Sequence, residues 1–537
     1  MAAMEAPPNA KAAESPAHAG PAHAGPAHAG PADADVQTCL RVLRAIEADR
    51  SHLTRLSREA RRELVMLAGL VAKPERQDLV RMAKAFRRAD REAVKAHDRS
   101  AIERAGLRVQ RRATVYTPLR LEPPREERSA DEVPELKRSR ACYVCKRSFV
   151  KVHRYYDSMC GECGDFNYAK RAQTADLSGR IALITGARVK IGFQASLKLL
   201  RAGAQVIVTT RFPVDAAQRY AKEADYPGFR GRLQIHGLDL RHAPSVEIFT
   251  RFLLERLPQL DYLINNACQT VRRPAGFFQH LLAREAQPLT ALPEEWRAPL
   301  TLHDELRRSL SRAVLAAAPA PLAGLPTVGR QRPQAEGLLH SAELSQRHYL
   351  DEDFRDGETL FPANRYDEDL QQVDLRAVNS WRLRLHEVQT PELLEVHLVN
   401  AIAPYILNAR LKPLMLKTAA GDKHIVNVSA MEGQFYRTTK TDKHPHTNMA
   451  KAALNMMTRT SAPDFVKQGI HMNAVDTGWV TDEDPAPHAA RKAECGFSPP
   501  LDIIDGAARI VDPIFAGRLT GTHLWGQFLK DYRPAPW

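Results

Sequence analysis

The sequence predicts an α/β fold built on a doubly wound parallel sheet, preceded by a helical region and a small cysteine-bearing module. Three observations carry this reading. From Leu177 onward, short apolar runs rich in β-branched residues alternate with helical patterns, as in a parallel sheet covered by helices on both faces. The first run, Ile181-Ala-Leu-Ile-Thr185, leads into a turn bearing Gly186 and Gly192, and a helix opening after such a turn can receive an anion at its N-terminus. Upstream, two Cys-x-x-Cys pairs, Cys142/Cys145 and Cys160/Cys163, stand 14 residues apart.

The strands expected are Ile181–Thr185, Gln205–Thr209, Leu233–His236, Tyr262–Asn265, His424–Val428 and Ile470–Val475. Residues 1–35 carry a threefold Pro-Ala-His-Ala-Gly repeat with nothing to bury and read as a flexible tail, its His18, His23 and His28 included. Residues 36–112 read as helices. Leu40, Leu43 and Ile46, then Leu64, Leu67 and Val71, then Leu79, Met82 and Phe86 recur at three- and four-residue spacing, and Pro74 breaks the run. A small antiparallel helical unit is expected there. Prolines and mixed charges make 113–140 a linker, the cysteine module occupies 141–170, and 171–537 forms the sheet domain. Between Asn266 and Asn400 lie 133 residues, too many for one crossover. An insertion at about 270–389 is therefore expected, unstructured in its Ala/Pro/Arg-rich stretch 313–333 and ordered over 366–387.

At 537 residues the chain exceeds one ordinary domain, and 44% hydrophobic content supports a packed core. The net charge of +14 is concentrated in residues 41–120, which hold 21 Lys/Arg against 10 Asp/Glu. That region is a solvated helical face or a surface for an acidic partner, protein or nucleic acid. Seven cysteines, four of them clustered, exclude a disulfide scaffold and point to a reducing compartment. The N-terminus has no secretory pattern and no run is long enough to cross a membrane. A cytoplasmic location is expected.

The four cysteines form the clearest metal signal. Each pair places two thiolates on one ion, and the intervening hairpin joins the pairs into a tetrahedral zinc site. Four thiolates close the shell, so this zinc is structural. His153 is the spare ligand candidate, and the cationic and aromatic residues on the intervening segment suit a binding role.

The run Thr185-Gly186-Ala-Arg188-Val-Lys190-Ile191-Gly192, the segment Asn265-Asn266-Ala267, Asn400, the strand ending at Ser429 and the run Thr447-Asn-Met-Ala-Lys451 come in a characteristic order. Together they resemble the short-chain dehydrogenase/reductase family, over roughly residues 177–270 and 390–530. The resemblance implies a Rossmann-like domain and hydride transfer between a nicotinamide and a carbonyl or alcohol. Thr185, Gly186 and Gly192 match the family's glycine turn, with Lys190 in place of its middle glycine. Asp239 matches the residue that meets adenine, Asn266 and Ala267 the Asn-Asn-Ala run, and Gly478 the loop touching the nicotinamide. At the end of the second strand Thr210 and Arg211 replace an acid, and Arg188 lies in the turn; a cation in place of that acid favours NADP over NAD.

The family's lysine, serine and asparagine correspond to Lys451, Ser429 and Asn400. Its tyrosine position is Thr447. A phenol titrates near 10, whereas an aliphatic hydroxyl is too weak an acid for the same transfer. Tyr436 and His446, with Glu432, are candidate substitutes on the loop between Ser429 and Thr447. Asn400 sits on a helix signalled by Thr390 as N-cap, Pro391 in the first turn and Glu392 against the dipole. Three readings stay open at this point: an NADP-dependent oxidoreductase with atypical acid–base chemistry, a non-catalytic NADP sensor or scaffold, and a nucleic-acid-binding protein. The resemblance also implies a homo-oligomer.

Overall fold

The computed structural model describes residues 31–112, 135–316, 332–354, 357–367, 369–436 and 440–537. The repeat with its three histidines, most of the expected linker and residues 317–331 of the stretch 313–333 lie outside these. The chain forms two compact units, Met1–Arg91 and Glu92–Trp537.

In the first unit the helices are Asp33–Ala48, Arg58–Ala72 and the start of Arg76–Glu103. Ser57 caps the second by accepting the Ala60 amide. No residue between 31 and 91 is buried. Each helix has an apolar stripe, and among the described residues Leu67, Val71 and Phe86 stay exposed.

The second unit begins with the end of the helix Arg76–Glu103 and the helix Gly106–Gln110 and includes an antiparallel hairpin, β1 (Glu135–Ala141) and β2 (Ser148–Lys151). The main sheet contains β3 (Ile181–Thr185), β4 (Gln205–Thr210), β5 (Leu233–Gly237), β6 (Tyr262–Asn265), β7 (Lys423–Ser429), β8 (Ile470–Asp476), β9 (Phe528–Lys530) and β10 (Arg533–Ala535). Their spatial order is β10-β9-β8-β7-β6-β3-β4-β5, parallel except for β10. All six expected strands form, each within one residue of its expected ends. β3 shows why: it is buried throughout, and its side chains alternate between two cores. Ala182 and Ile184 join one, Ile181 and Leu183 the other, as the two-residue period of a strand requires. Chain order reverses between β3 and β6, which opens a crevice at the carboxyl ends of these strands.

The insertion is more ordered than expected. Its helix Gln279–Glu285 and neighbouring turns place Phe277, Phe278, Leu281 and Phe361 in a cluster with Phe212. Leu306 and Leu338 extend one of the main cores. The helix Thr390–His397 takes Gln389 as its N-cap, without a side-chain bond. Thr390 is thus inside the first turn instead of capping it. A π-helical turn, Leu398–Ile402, follows and carries Asn400. Among the described residues no helix is long and apolar enough to cross a membrane.

Candidate functional site

A cavity of about 540 Å³ lies at the carboxyl ends of β3, β4, β5 and β6, where the chain order reverses. Its lining includes Gly186, Arg188, Lys190, Ile191, Gly192, Arg211, Asp239, Asn266 and Ala267. The turn after β3 is held from β6. Thr185 Oγ1 accepts the amides of Asn266 and Ala267 at 3.1 and 3.0 Å, and Asn266 Nδ2 donates to the carbonyls of Thr185 and Gly186 at 3.0 and 3.1 Å. Thr185 and Asn266 therefore shape the turn. Gly186 has φ +69°, and a Cβ on Gly192 would stand 2.3 Å from Asn266 Nδ2 and 2.4 Å from the Gly186 carbonyl. Gly192→Ala is expected to cost about 1–3 kcal/mol through overpacking, read as a lower midpoint in chemical denaturation.

The cations around this cavity differ in what they face. Arg188 donates to Asp215 Oδ2 at 2.6 Å and is buried, so its charge is already matched. Burial holds its pKa below the usual value, against the pull of Asp215. Lys190 takes the left-handed conformation, φ +55°, and its ammonium lies 3.5 Å from Asp369 of the insertion. Arg211 is different. Among the described residues its side chain has no ion-pair or hydrogen-bond partner, and it lies over the rings of Phe278 and Phe212 at 4.6 and 5.6 Å. Burial and then Arg241 push its pKa down to about 10, so it stays charged at neutral pH. Asp239 is held by Arg241, which also donates to Glu395 at 2.9 Å. The sequence pattern gave no sign of Glu395 as a wall residue, because its partner Arg241 lies 154 residues away along the chain.

Of the expected reaction residues, Thr447 and Lys451 stand on one helix, Ser429 faces it from β7, and none of them, nor Asn400, is in the cavity lining. On the helix Pro445–Val466, Lys451 Nζ donates to the Val428 carbonyl at 2.7 Å. Ser429 Oγ donates to Asn455 Oδ1 at 2.6 Å. Ser429, Thr447 and Lys451 are 2, 2 and 4% exposed, and the turn Met431–Gly433 presses on this helix at Lys451 and Asn455. Thr447 Oγ1 is buried without a hydrogen-bond partner among the described residues. Asn400 clasps the Gln269 backbone, accepting its amide at 2.8 Å and donating to its carbonyl at 3.1 Å.

None of the substitute acids enters the cavity lining. Tyr436 is 47% exposed, with its hydroxyl 4.0 Å from Met431 Sδ. His446 faces the helix Thr390–His397, its Nε2 3.6 Å from Glu392 Oε1. Lys440 donates to the Glu432 carbonyl.

In the cysteine module the four thiols of Cys142, Cys145, Cys160 and Cys163 lie within 4.8 Å of one another. Cys142 and Cys145 flank the β1–β2 turn, which is closed by the Cys142 amide donating to the Arg147 carbonyl and by Lys146 at φ +64°. Cys160 caps the helix Gly161–Ala172, and its amide points at Cys142 Sγ, 3.4 Å away. Hydrogen bonds from Arg147 draw the Cys145 thiol down to about 6. This donor set suits a tetrahedral zinc. His153 takes no part: its Nδ1 accepts the amides of Tyr155 and Tyr156. The module docks on the sheet domain through Tyr155, Tyr156 and Arg171, which reach the buried Asp502 and Asp505. Tyr143 Oη accepts the Trp479 amide at 3.0 Å, beside Gly478 at φ +75°.

Comparisons with known proteins fall on these elements. A model of the short chain dehydrogenase family matches residues 180–286, and one described as enoyl-(acyl carrier protein) reductase matches 375–493. An uncharacterised protein of Acanthamoeba polyphaga mimivirus is 31% identical over 404 residues, 73% of this chain and 74% of its own. Retinol dehydrogenase 14 of Mus musculus is 36% identical over 114 residues, 19% of this chain and 34% of its own length. A dehydrogenase/reductase structure from Sinorhizobium meliloti 1021 aligns at 18% identity and a TM-score of 0.39, covering 66% of this chain and 94% of that one. With the glycine turn and the lysine helix falling inside the two matched segments, in order, the chain belongs to the short-chain dehydrogenase/reductase family of oxidoreductases.

Proposed function

We propose that the protein is an NADP-dependent oxidoreductase that moves hydride between the nicotinamide and a small carbonyl or alcohol, without the family's phenol as acid. The observation that carries this reading is Arg211. A charged guanidinium without an ion-paired carboxylate among the described residues, at the end of β4, fits the 2′-phosphate that distinguishes NADP from NAD. The rest of the cavity suits a dinucleotide. Gly186 and Gly192 line it at the start of the helix Lys190–Arg201, where a diphosphate can meet a helix N-terminus, and Asp239, Asn266 and Ala267 line the remainder.

When bound, the nicotinamide supplies the hydride donor or acceptor. The chain supplies the positioning. Arg211 selects the cofactor, Asn400 fixes the backbone after β6, and Lys451 brings a positive charge to the end of β7. Thr447 can donate one hydrogen bond but does not titrate in the range of a phenol. The four cysteines hold a structural zinc, closed to substrate.

Titration calorimetry with NADPH and NADH tests the cofactor. NADPH is expected to bind the wild-type protein more tightly than NADH. Loss of a charge-assisted contact costs about 1.5–3 kcal/mol, so Arg211→Ala should weaken NADPH by roughly 10- to 100-fold and leave NADH nearly unchanged. Equal affinity of the wild-type protein for both coenzymes would refute the assignment.

A further inference from the structure

A second cluster of metal-ligating side chains lies at the opposite edge of the sheet. His424 and His471 are the second residues of β7 and β8 and pair directly across the two parallel strands, so their rings leave the same face. His523 reaches them from the segment between the helix Ile503–Thr520 and β9. Gly517 makes that approach possible, since a Cβ there would stand 2.3 Å from His523 Nδ1 and 3.2 Å from His424 Nε2. One ring nitrogen from each of the three histidines lies within 4.8 Å of the others.

The surroundings fit a ligand set better than a filler of the core. His424 is fully buried, and its Nδ1 has no hydrogen-bond partner among the described residues. His471 Nδ1 lies 3.2 Å from the Lys423 carbonyl, so the proton sits on that nitrogen and Nε2 keeps its lone pair. Such a backbone bond on the far nitrogen is how protein metal sites orient an imidazole. Asp422 adds a negative charge that acts on His471 and His523. Its Oδ2 takes Arg180 and Arg518, whereas its Oδ1 is buried without a partner. Without a cation, His424 Nε2 and His523 Nδ1 share a hydrogen bond of 2.9 Å.

We infer that His424, His471 and His523 form a binding site for a divalent cation of the zinc class, at the amino-terminal edge of the sheet. Zinc–imidazole bonds of about 2.0–2.1 Å require the three nitrogens to close in from their present spacing, which ring rotations on three separate elements can supply. The fourth position goes to water or to Asp422. The site stands away from the nucleotide cavity, which lies at the strands' carboxyl ends. Its ion joins β7 and β8 to the C-terminal segment that leads into β9.

The full-length protein, stripped with a chelator and titrated with Co²⁺, separates this site from the cysteine cluster. Thiolate ligation gives an intense near-ultraviolet charge-transfer band, and imidazole ligation gives only weak visible bands. Wild-type protein is expected to take up two equivalents, one with and one without the thiolate band. His523→Ala and His471→Gln should keep the first and lose the second. The proposal is overturned if the wild-type protein binds no equivalent that lacks the thiolate band, or if both folded variants still bind it. Should the variants fail to fold, the wild-type protein decides. Zn²⁺ is expected to shield His471 and His523 from diethyl pyrocarbonate, as mapped by mass spectrometry, and unchanged modification of both overturns the site.

Discussion

Cys160→Ser is expected to release the β1–β2 hairpin and to lower the melting temperature of the sheet domain by more than about 10 °C. The size follows from what the hairpin has besides the proposed zinc. β2 is four residues long, and an isolated two-stranded hairpin is marginal in water. Apparent binding free energies of structural zinc in small cysteine modules are about 10–16 kcal/mol, and that energy is also folding energy. Cys160 stands at the N-cap of the helix Gly161–Ala172 without a side-chain cap bond, and serine is a good N-cap, so the expected loss is that of the proposed zinc ligand alone.

The consequence travels further than the module. Tyr143, between Cys142 and Cys145, accepts the Trp479 amide, so an unfolded knuckle frees the loop after β8. Hydrogen exchange should show the largest loss of protection over residues 135–160 and at Trp479, with a smaller loss in the core strands β3 and β4. Chelation of the wild-type protein should give the same pattern. A melting temperature and exchange map indifferent to both treatments would mean that Tyr155, Tyr156 and Arg171, bound to Asp502 and Asp505, hold the module without a metal.

Much of this architecture was legible in the sequence, and the parts that were not have physical reasons. The six central strands were readable because strands buried on both faces are nearly continuous apolar runs. β9 and β10 are three residues each, too short to show a period. The glycine turn was readable because Gly186 and Gly192 stand where any Cβ collides. The direction of Ser429 was within reach too. Two residues after Asn427, it shares that residue's face of β7, and Asn427 points to Thr458 on the lysine-bearing helix. The walls of the cavity were beyond reach. Arg188 meets Asp215, Lys190 meets Asp369 and Phe212 meets Phe278. The last two pairings depend on where the insertion folds back, and its scattered aromatics have no period to announce it. The exposed stripes of the N-terminal helices show the converse, since periodicity predicts a helix without saying what covers it.

Thr447→Tyr is expected to raise turnover of NADPH with a carbonyl substrate by roughly 10²- to 10⁴-fold, the range of a positioned general acid. The helix already presents this position one turn before Lys451, whose ammonium lies at the end of β7. A phenol beside that charge is held toward its ionised form and can give and take the proton that a threonine hydroxyl cannot. The cost is steric. Thr447 is 2% exposed, so a ring there overpacks its surroundings by about 1–3 kcal/mol, and a melt of each variant must accompany the rates. Two companions separate the causes. Thr447→Val removes a buried hydroxyl that has no partner among the described residues, so stability should hold or rise, and any fall in turnover measures what that hydroxyl does in the reaction. Lys451→Ala in the Thr447→Tyr background should erase the gain, because the phenol then loses the neighbouring charge. A folded Thr447→Tyr variant with unchanged turnover would show that the proton is moved by a group other than the residue at 447.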